Sequence, residues 1–77
     1  MYRRNMEAEI YKGYSIWSHA IRQQEDILQP ERYAAGGTIT QSRRLVEASG
    51  VLGNFETEEE AQLAGLAWAR AWVDRHG

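Results

Sequence analysis

The spacing of apolar residues along this chain changes at Thr57. From there onward apolar positions recur every three or four residues, the period of an amphipathic helix. At about 100° per residue, Ala61, Ala64, Gly65, Trp68, Ala71 and Trp72 fall on one side, where small residues alternate with two large rings. That mixture suits a helix lying close against a sheet. Leu66, Ala69 and Val73 form a second apolar strip, while Leu63, Arg70 and Asp74 lie on the far side. The apolar arc is wider than one sheet face requires, so the Leu66–Ala69–Val73 strip is a candidate contact for another chain. Thr57 and Glu60 have the spacing of a capping box. Glu58, Glu59 and Glu60 sit where the helix dipole favours negative charge, and Arg75 and His76 where it favours positive charge.

Upstream, β-branched and aromatic residues dominate three stretches. These are residues 10–22 (IYKGYSIWSHAIR), 32–41 (RYAAGGTITQ) and 43–52 (RRLVEASGVL). Gly13 is read as a bulge or a place of close backbone approach, Gly50 as a bulge, and Gly36-Gly37 as a bend or a packing site for the helix. The polar segment 1–9 reads as a flexible N-terminal arm, and residues 23–31, with the single proline Pro30, as a connection. Phe55 is placed to pack on the first turn of the helix, in the manner of a hydrophobic staple. The expected fold class is α+β: an antiparallel three-stranded meander with one C-terminal helix across one face, in the order β-β-β-α, with residues 10–77 forming a single domain.

Composition narrows the function. With 77 residues and no cysteine, the chain has neither disulfides nor a thiolate metal site to reinforce a small core, which leaves self-association as the way to enlarge it. The opening stretch Met1 to Ile10 is polar and charged, and no apolar run approaches a membrane span, so a cytoplasmic location away from membranes is expected. Net charge is −2, from nine Lys and Arg against eleven Asp and Glu. Residues 1–54 carry seven bases and six acids, and residues 55–77 carry two bases and five acids, giving +1 and −3. A near-neutral sheet beside an acidic helix counts against tight phosphate binding.

The titratable residues form no catalytic set. His19 and His76 are the only histidines, and neither has a partner at metal-binding spacing. The three glutamates at the helix start are accounted for by capping and the dipole, and Glu25-Asp26 reads as a solvated loop pair. No enzyme activity, cofactor or metal is expected. The sheet face left uncovered by the single helix is the better place for function. Its candidates are Tyr14 or Trp17, Arg32, Tyr33, Arg43 and Arg44, aromatics beside arginines, which is the composition of an interface or of a stacking surface for single-stranded nucleic acid.

Two segments resemble a known family. Tyr11-Lys12-Gly13 is similar to the Y-R-G opening of the plant ethylene-response-factor type DNA-binding domain. Leu52-Gly53-Asn54-Phe55-Glu56-Thr57-Glu58-Glu59-Glu60-Ala61 resembles its L-G-T-F-D-T-x-E-E-A. The resemblance spans about residues 11–77 and implies three strands followed by a helix, with arginines and tryptophans of the open face entering the DNA major groove. The family's first strand is arginine-rich around its Trp. Here Tyr14 to His19 holds one Trp and no arginine before Arg22, so the resemblance bears on topology. The segment Ala69-Arg70-Ala71-Trp72-Val73-Asp74 also resembles the A-R-x-W-[VI]-D ending of small bacterial proteins with a short sheet and a C-terminal helix. The combined expectation is a small non-enzymatic interaction domain with a protein partner or a second copy of itself; the alternative is a sheet-mediated nucleic-acid binding module.

Overall fold

The structure, a computed structural model, describes residues 8–23 and 32–76. Among the described residues, five strands precede one helix: β1 Ala8–Tyr11, β2 Tyr14–Gln23, β3 Arg32–Gln41, β4 Arg44–Ala48, β5 Gly53–Phe55 and α1 Glu58–His76. All strand pairings are antiparallel. The sheet runs β1-β2-β3-β4, and β5 pairs with β3 beyond the end of β4. The α+β class and the helix across one face are as expected, but the sheet has more strands than the three expected.

The extra strands have local causes. Lys12 and Gly13 both have positive φ (52° and 88°), the geometry of a two-residue hairpin turn, so the first expected strand folds back on itself and Tyr11 pairs with Tyr14. Gly13 is therefore a turn residue and not a bulge. Ser42 and Arg43 (φ 53° and 67°) make the equivalent turn between β3 and β4. In the third expected strand, pairing with β3 shifts between Ile39 and Thr40, and β4 ends at Ala48. The chain then bends through Gly50 (φ 72°) and returns to β3 as β5. β1 begins at Ala8, inside the segment read as an arm, and Gln23, the first residue of the expected connection over 23–31, ends β2; residues 1–7 and 24–31 lie outside the described residues.

The helix begins as its cap dictates. The Glu60 backbone N–H donates to Thr57 Oγ1 at 3.1 Å, and the Ala61 N–H donates to the Thr57 carbonyl at 3.2 Å. Thr57→Ala is expected to lower stability by about 1 kcal/mol, read as a fall of roughly 4–8 °C in Tm by circular dichroism.

The core lies between α1 and one side of the sheet. Ile16, Ile39, Ala69 and Val73 are fully buried together, with Tyr11, Tyr14, Val46, Leu66, Trp68 and Trp72 packed around them. The helix residues that are buried are Ala61, Gly65, Ala69 and Val73, each four apart. A row with that spacing drifts about 40° per step around the helix, so the contact line winds with the twisted sheet instead of following one straight face. This corrects the helix reading. Ala69 and Val73 are core, not a strip open to another chain; Leu66 is half-buried against them; and Ala71, expected on the sheet, is exposed.

Helix and sheet meet at glycines. A methyl group on Gly65 would collide with the Gly36 carbonyl oxygen and lie 2.8 Å from Ser18 Cβ. One on Gly37 would lie 2.7 Å from the Trp68 ring and 2.9 Å from the Gly65 carbonyl oxygen. Of the two readings of Gly36-Gly37, the close approach of the helix is the one realised, and Trp68 lies over Gly37.

Candidate interaction face

Register assigns each strand residue to one side of the sheet. Ile16 and Ile39 are paired and buried under the helix, so their parity defines the covered side. That side includes Glu9, Tyr11, Tyr14, Ser18, Tyr33, Ala35 and Gly37. The opposite parity carries Ala8 and Ile10 from β1, Ser15, Trp17, His19 and Ile21 from β2, Thr38 and Thr40 from β3, and Leu45 and Ala48 from β4. Among the described residues, no helix covers this side.

The uncovered face carries large exposed apolar side chains set among small polar ones. Ile10 is 70% exposed, Leu45 66% and Ile21 60%, with the half-buried Trp17 among them. Two polar contacts fix the rings on it. Trp17 Nε1 donates to Thr40 Oγ1 at 3.1 Å, and His19 Nε2 lies 2.9 Å from Thr38 Oγ1. Each ring therefore leans across to the threonine one row along, which satisfies its polar atom within the sheet and turns apolar carbon toward solvent. Among the described strand residues, the only lysine, arginine or carboxylate of this parity is Arg32, at the far end of β3.

Charge collects on the covered side, around the edge strand β1. Arg70 holds Glu9 in a two-point ion pair, Nη2 to Oε1 at 2.6 Å and Nε to Oε2 at 3.1 Å. Lys12 Nζ lies 2.8 Å from Asp74 Oδ1, and the Tyr11 hydroxyl donates to the same oxygen at 2.9 Å. These bonds tie β1 to the last turns of the helix. The Lys12 and Tyr11 hydrogen bonds hold the Asp74 carboxyl below the ordinary carboxylate range, and its carboxylate pushes the Tyr11 hydroxyl above the ordinary phenol range.

Because Asp74 is lowered in the folded chain, its contribution is complete above the unfolded value of about 3.9 and is lost as pH falls through the folded value. Tyr11 is raised, so its contribution is present below about 10 and is lost as pH climbs past that. Asp74→Asn is expected to flatten the acid limb of a Tm-against-pH profile; an unchanged limb would contradict the assignment. The same helix end carries a ring cluster. Tyr14 meets Trp72 edge-on with centroids 6.2 Å apart, and Trp72 stacks on His76 at 4.2 Å.

The sequence candidates divide between these settings. Trp17 and Arg32 have the parity of the uncovered face. Tyr14 and Tyr33 have the covered parity, Tyr14 packing on the core and Tyr33 standing opposite Phe55 at the start of the helix. Arg43 is in the β3–β4 turn, and Arg44 pairs with Gln41 on the covered parity. The expected aromatic–arginine stripe is therefore dispersed. Ile10, Ile21 and Leu45 take its place, and no candidate list from the sequence included them. Recognising Lys12-Gly13 as a two-residue turn would have moved Ile10 beside Trp17, because that turn reverses the parity between β1 and β2.

Among the described residues no group of three or more His, Cys, Asp or Glu side chains could hold a metal ion, and no helix is long and apolar enough to cross a membrane. Residues 4–77 match the family described as Domain of unknown function (DUF6566). The chain belongs to that family. Comparison with curated proteins and with solved structures gave no match. The family's description assigns no activity, so the functional reading rests on the geometry of the chain itself.

Proposed function

We propose that this domain is a non-enzymatic interaction module that binds protein through the uncovered face of its sheet. The observation that supports the reading is the apolar field of Ile10, Trp17, Ile21 and Leu45 on a face without a helix. Several large apolar side chains gathered on one face mark protein contact sites, whereas single exposed apolar residues are ordinary. The small core adds to the case: the largest fully buried side chains are Ile16, Ile39 and Val73, and a partner on the open face would add a third layer.

The sheet-mediated nucleic-acid reading has less support. Stacking surfaces for single strands combine rings with a basic groove. Here, among the described strand residues, Trp17 has no arginine or lysine of its own parity nearer than Arg32, and Arg43 and Arg44 are at or beside a hairpin turn.

The test is site-specific photo-crosslinking in cells that make the protein. A photoreactive residue in place of Leu45 should give a discrete polypeptide adduct, and one in place of Leu63, exposed on the helix, should not. Absence of an adduct from position 45, or equal capture from both positions, would sink the proposal.

A further inference from the structure

We infer that the end of the sheet carrying the two hairpin turns is a docking surface for an acidic segment of another protein, centred on Arg43 and Arg44. The inference rests on the interaction reading above and names the chemistry of the partner.

Topology gathers cations at this end. β2 and β3 are paired neighbours, so the Lys12-Gly13 and Ser42-Arg43 turns lie side by side. The Gln41 side-chain amide bridges them, donating to the Gly13 carbonyl at 3.5 Å. The helix ends beside the first turn, where Asp74 accepts from Lys12 and Tyr11 and Trp72 meets Tyr14. Lys12, Arg43, Arg44 and Arg75 are thereby brought to one end from three parts of the chain, and all four are exposed. Across four strands this rim is about 14 Å wide.

Carboxylates are few there. Asp74 is taken by Lys12 and Tyr11, and Glu9 by Arg70. Among the described strand residues the one other acid is Glu47, further along β4. Among the described residues, no hydrogen bond or ion pair engages Arg43, Arg44 or Arg75. The acids collect at the opposite end: Glu58, Glu59 and Glu60 open the helix, about 28 Å from its last turn. A chain of net charge −2 thus has a basic end and an acidic end, and the field of this separation guides an anionic partner to the turns.

The surroundings favour a polypeptide over a nucleic acid. The row just inside the turns is Ile10, Ser15, Thr40 and Leu45, with a large exposed apolar side chain at each edge. A polypeptide can set carboxylates beside apolar side chains and so meet Arg44 and Leu45 together. A nucleic acid would lay phosphates across that apolar row and release few counterions from so small a set of free cations. A polyanion long enough to reach the helix start would be repelled there. A second copy presenting the same end is repelled as well. Each exposed ion pair contributes little, so the apolar row supplies most of the affinity and the arginines supply orientation and association rate.

The test has two arms, both on the full chain, with circular dichroism to check that each variant folds. In the first, a fluorescein-labelled oligoglutamate is titrated at about 10 mM salt, where the Debye length is about 30 Å. Binding should saturate, weaken about tenfold or more by about 0.5 M salt, and be lost on reversing Arg43→Glu with Arg44→Glu. The charge-keeping pair Arg43→Lys with Arg44→Lys should retain most of it. Arg32→Glu, exposed at the other end of β3, should leave it within about twofold. In the second arm, the same charge reversal should abolish the position-45 photo-adduct and the lysine pair should not.

No oligoglutamate binding at low salt, or an equal loss from Arg32→Glu, would overturn the basic end as the site. Tighter binding of an oligothymidylate of equal charge would make the ligand a nucleic acid and overturn the polypeptide. An adduct made of two copies of this chain would overturn a separate partner. A position-45 adduct that survives the charge reversal would overturn the acidic partner and leave the interaction module standing. Absence of any wild-type adduct would end the interaction reading and this inference with it.

Discussion

Gly65→Ala should cost the protein about 2 kcal/mol and roughly 8–16 °C in Tm, although alanine is the better helix former by about 1 kcal/mol. The new methyl group has nowhere to go. It would meet the Gly36 carbonyl oxygen and lie 2.8 Å from Ser18 Cβ. Both neighbours belong to paired strands and not to the far end of a flexible side chain. Relief requires the helix to lift, which opens the core around Ile16, Ile39, Ala69 and Val73. The measurement is a thermal melt followed by far-ultraviolet circular dichroism, with Ala67→Gly as a reference for propensity alone at an exposed position of the same helix. An unchanged or raised Tm for Gly65→Ala would show that helix and sheet are not in backbone contact there.

Ile39→Ala should be more damaging, at about 3–4 kcal/mol. Ile39, on β3 beside Ile16 of β2, is fully buried in the cluster with Ile16, Ala69 and Val73. Truncation removes the transfer free energy of the lost atoms and leaves a cavity that neighbouring backbone, already held by sheet pairing, cannot collapse to fill. In a domain this small the loss is a large share of a total that is commonly only ~5 kcal/mol or a little more. The urea midpoint should fall steeply with little change in slope. By contrast, Leu45→Ala, on the uncovered face, should leave the monomer's midpoint nearly unchanged, since Leu45 is already 66% exposed. Equal losses at the two positions would mean that the two sides of the sheet had been assigned wrongly.

The contrast shows what the sequence carries and what it leaves to tertiary structure. The helix and its Thr57 cap are legible because local chemistry specifies them, a hydroxyl three residues before Glu60 and acids in the first turn, whereas the Gly36-Gly37 pair allows a bend or a close approach and only the structure selects the latter. The helix's buried row is less legible. A straight helical wheel averages over the whole length, whereas the true contact line through Ala61, Gly65, Ala69 and Val73 winds with the sheet. That is why Ala69 and Val73 look spare in projection and are core in space.

The open face is harder still. Strand parity reverses at each two-residue turn and is offset by a bulge, so an unrecognised Lys12-Gly13 turn moves Ile10 to the wrong side. Tyr14 and Tyr33 fail as surface candidates for the same reason: without the register, an aromatic residue in a strand gives no sign of which side it faces. Trp17 is placed correctly once Ile16 is fixed in the core, and it is the residue that joins the sequence candidates to the face proposed to bind.

The three tryptophans provide the most direct test of that face. Trp17 lies on the uncovered side with its indole N–H on Thr40, Trp68 lies over Gly37, and Trp72 stacks on His76. In an amide-type nitrogen–proton correlation spectrum each indole N–H gives its own signal. On titration with the polypeptide captured at position 45, the Trp17 indole should shift or broaden, while Trp68 and Trp72 stay in place. A stationary Trp17 signal beside a moving Trp72 would contradict the account, because the associating surface would then be the helix end and not the open face of the sheet.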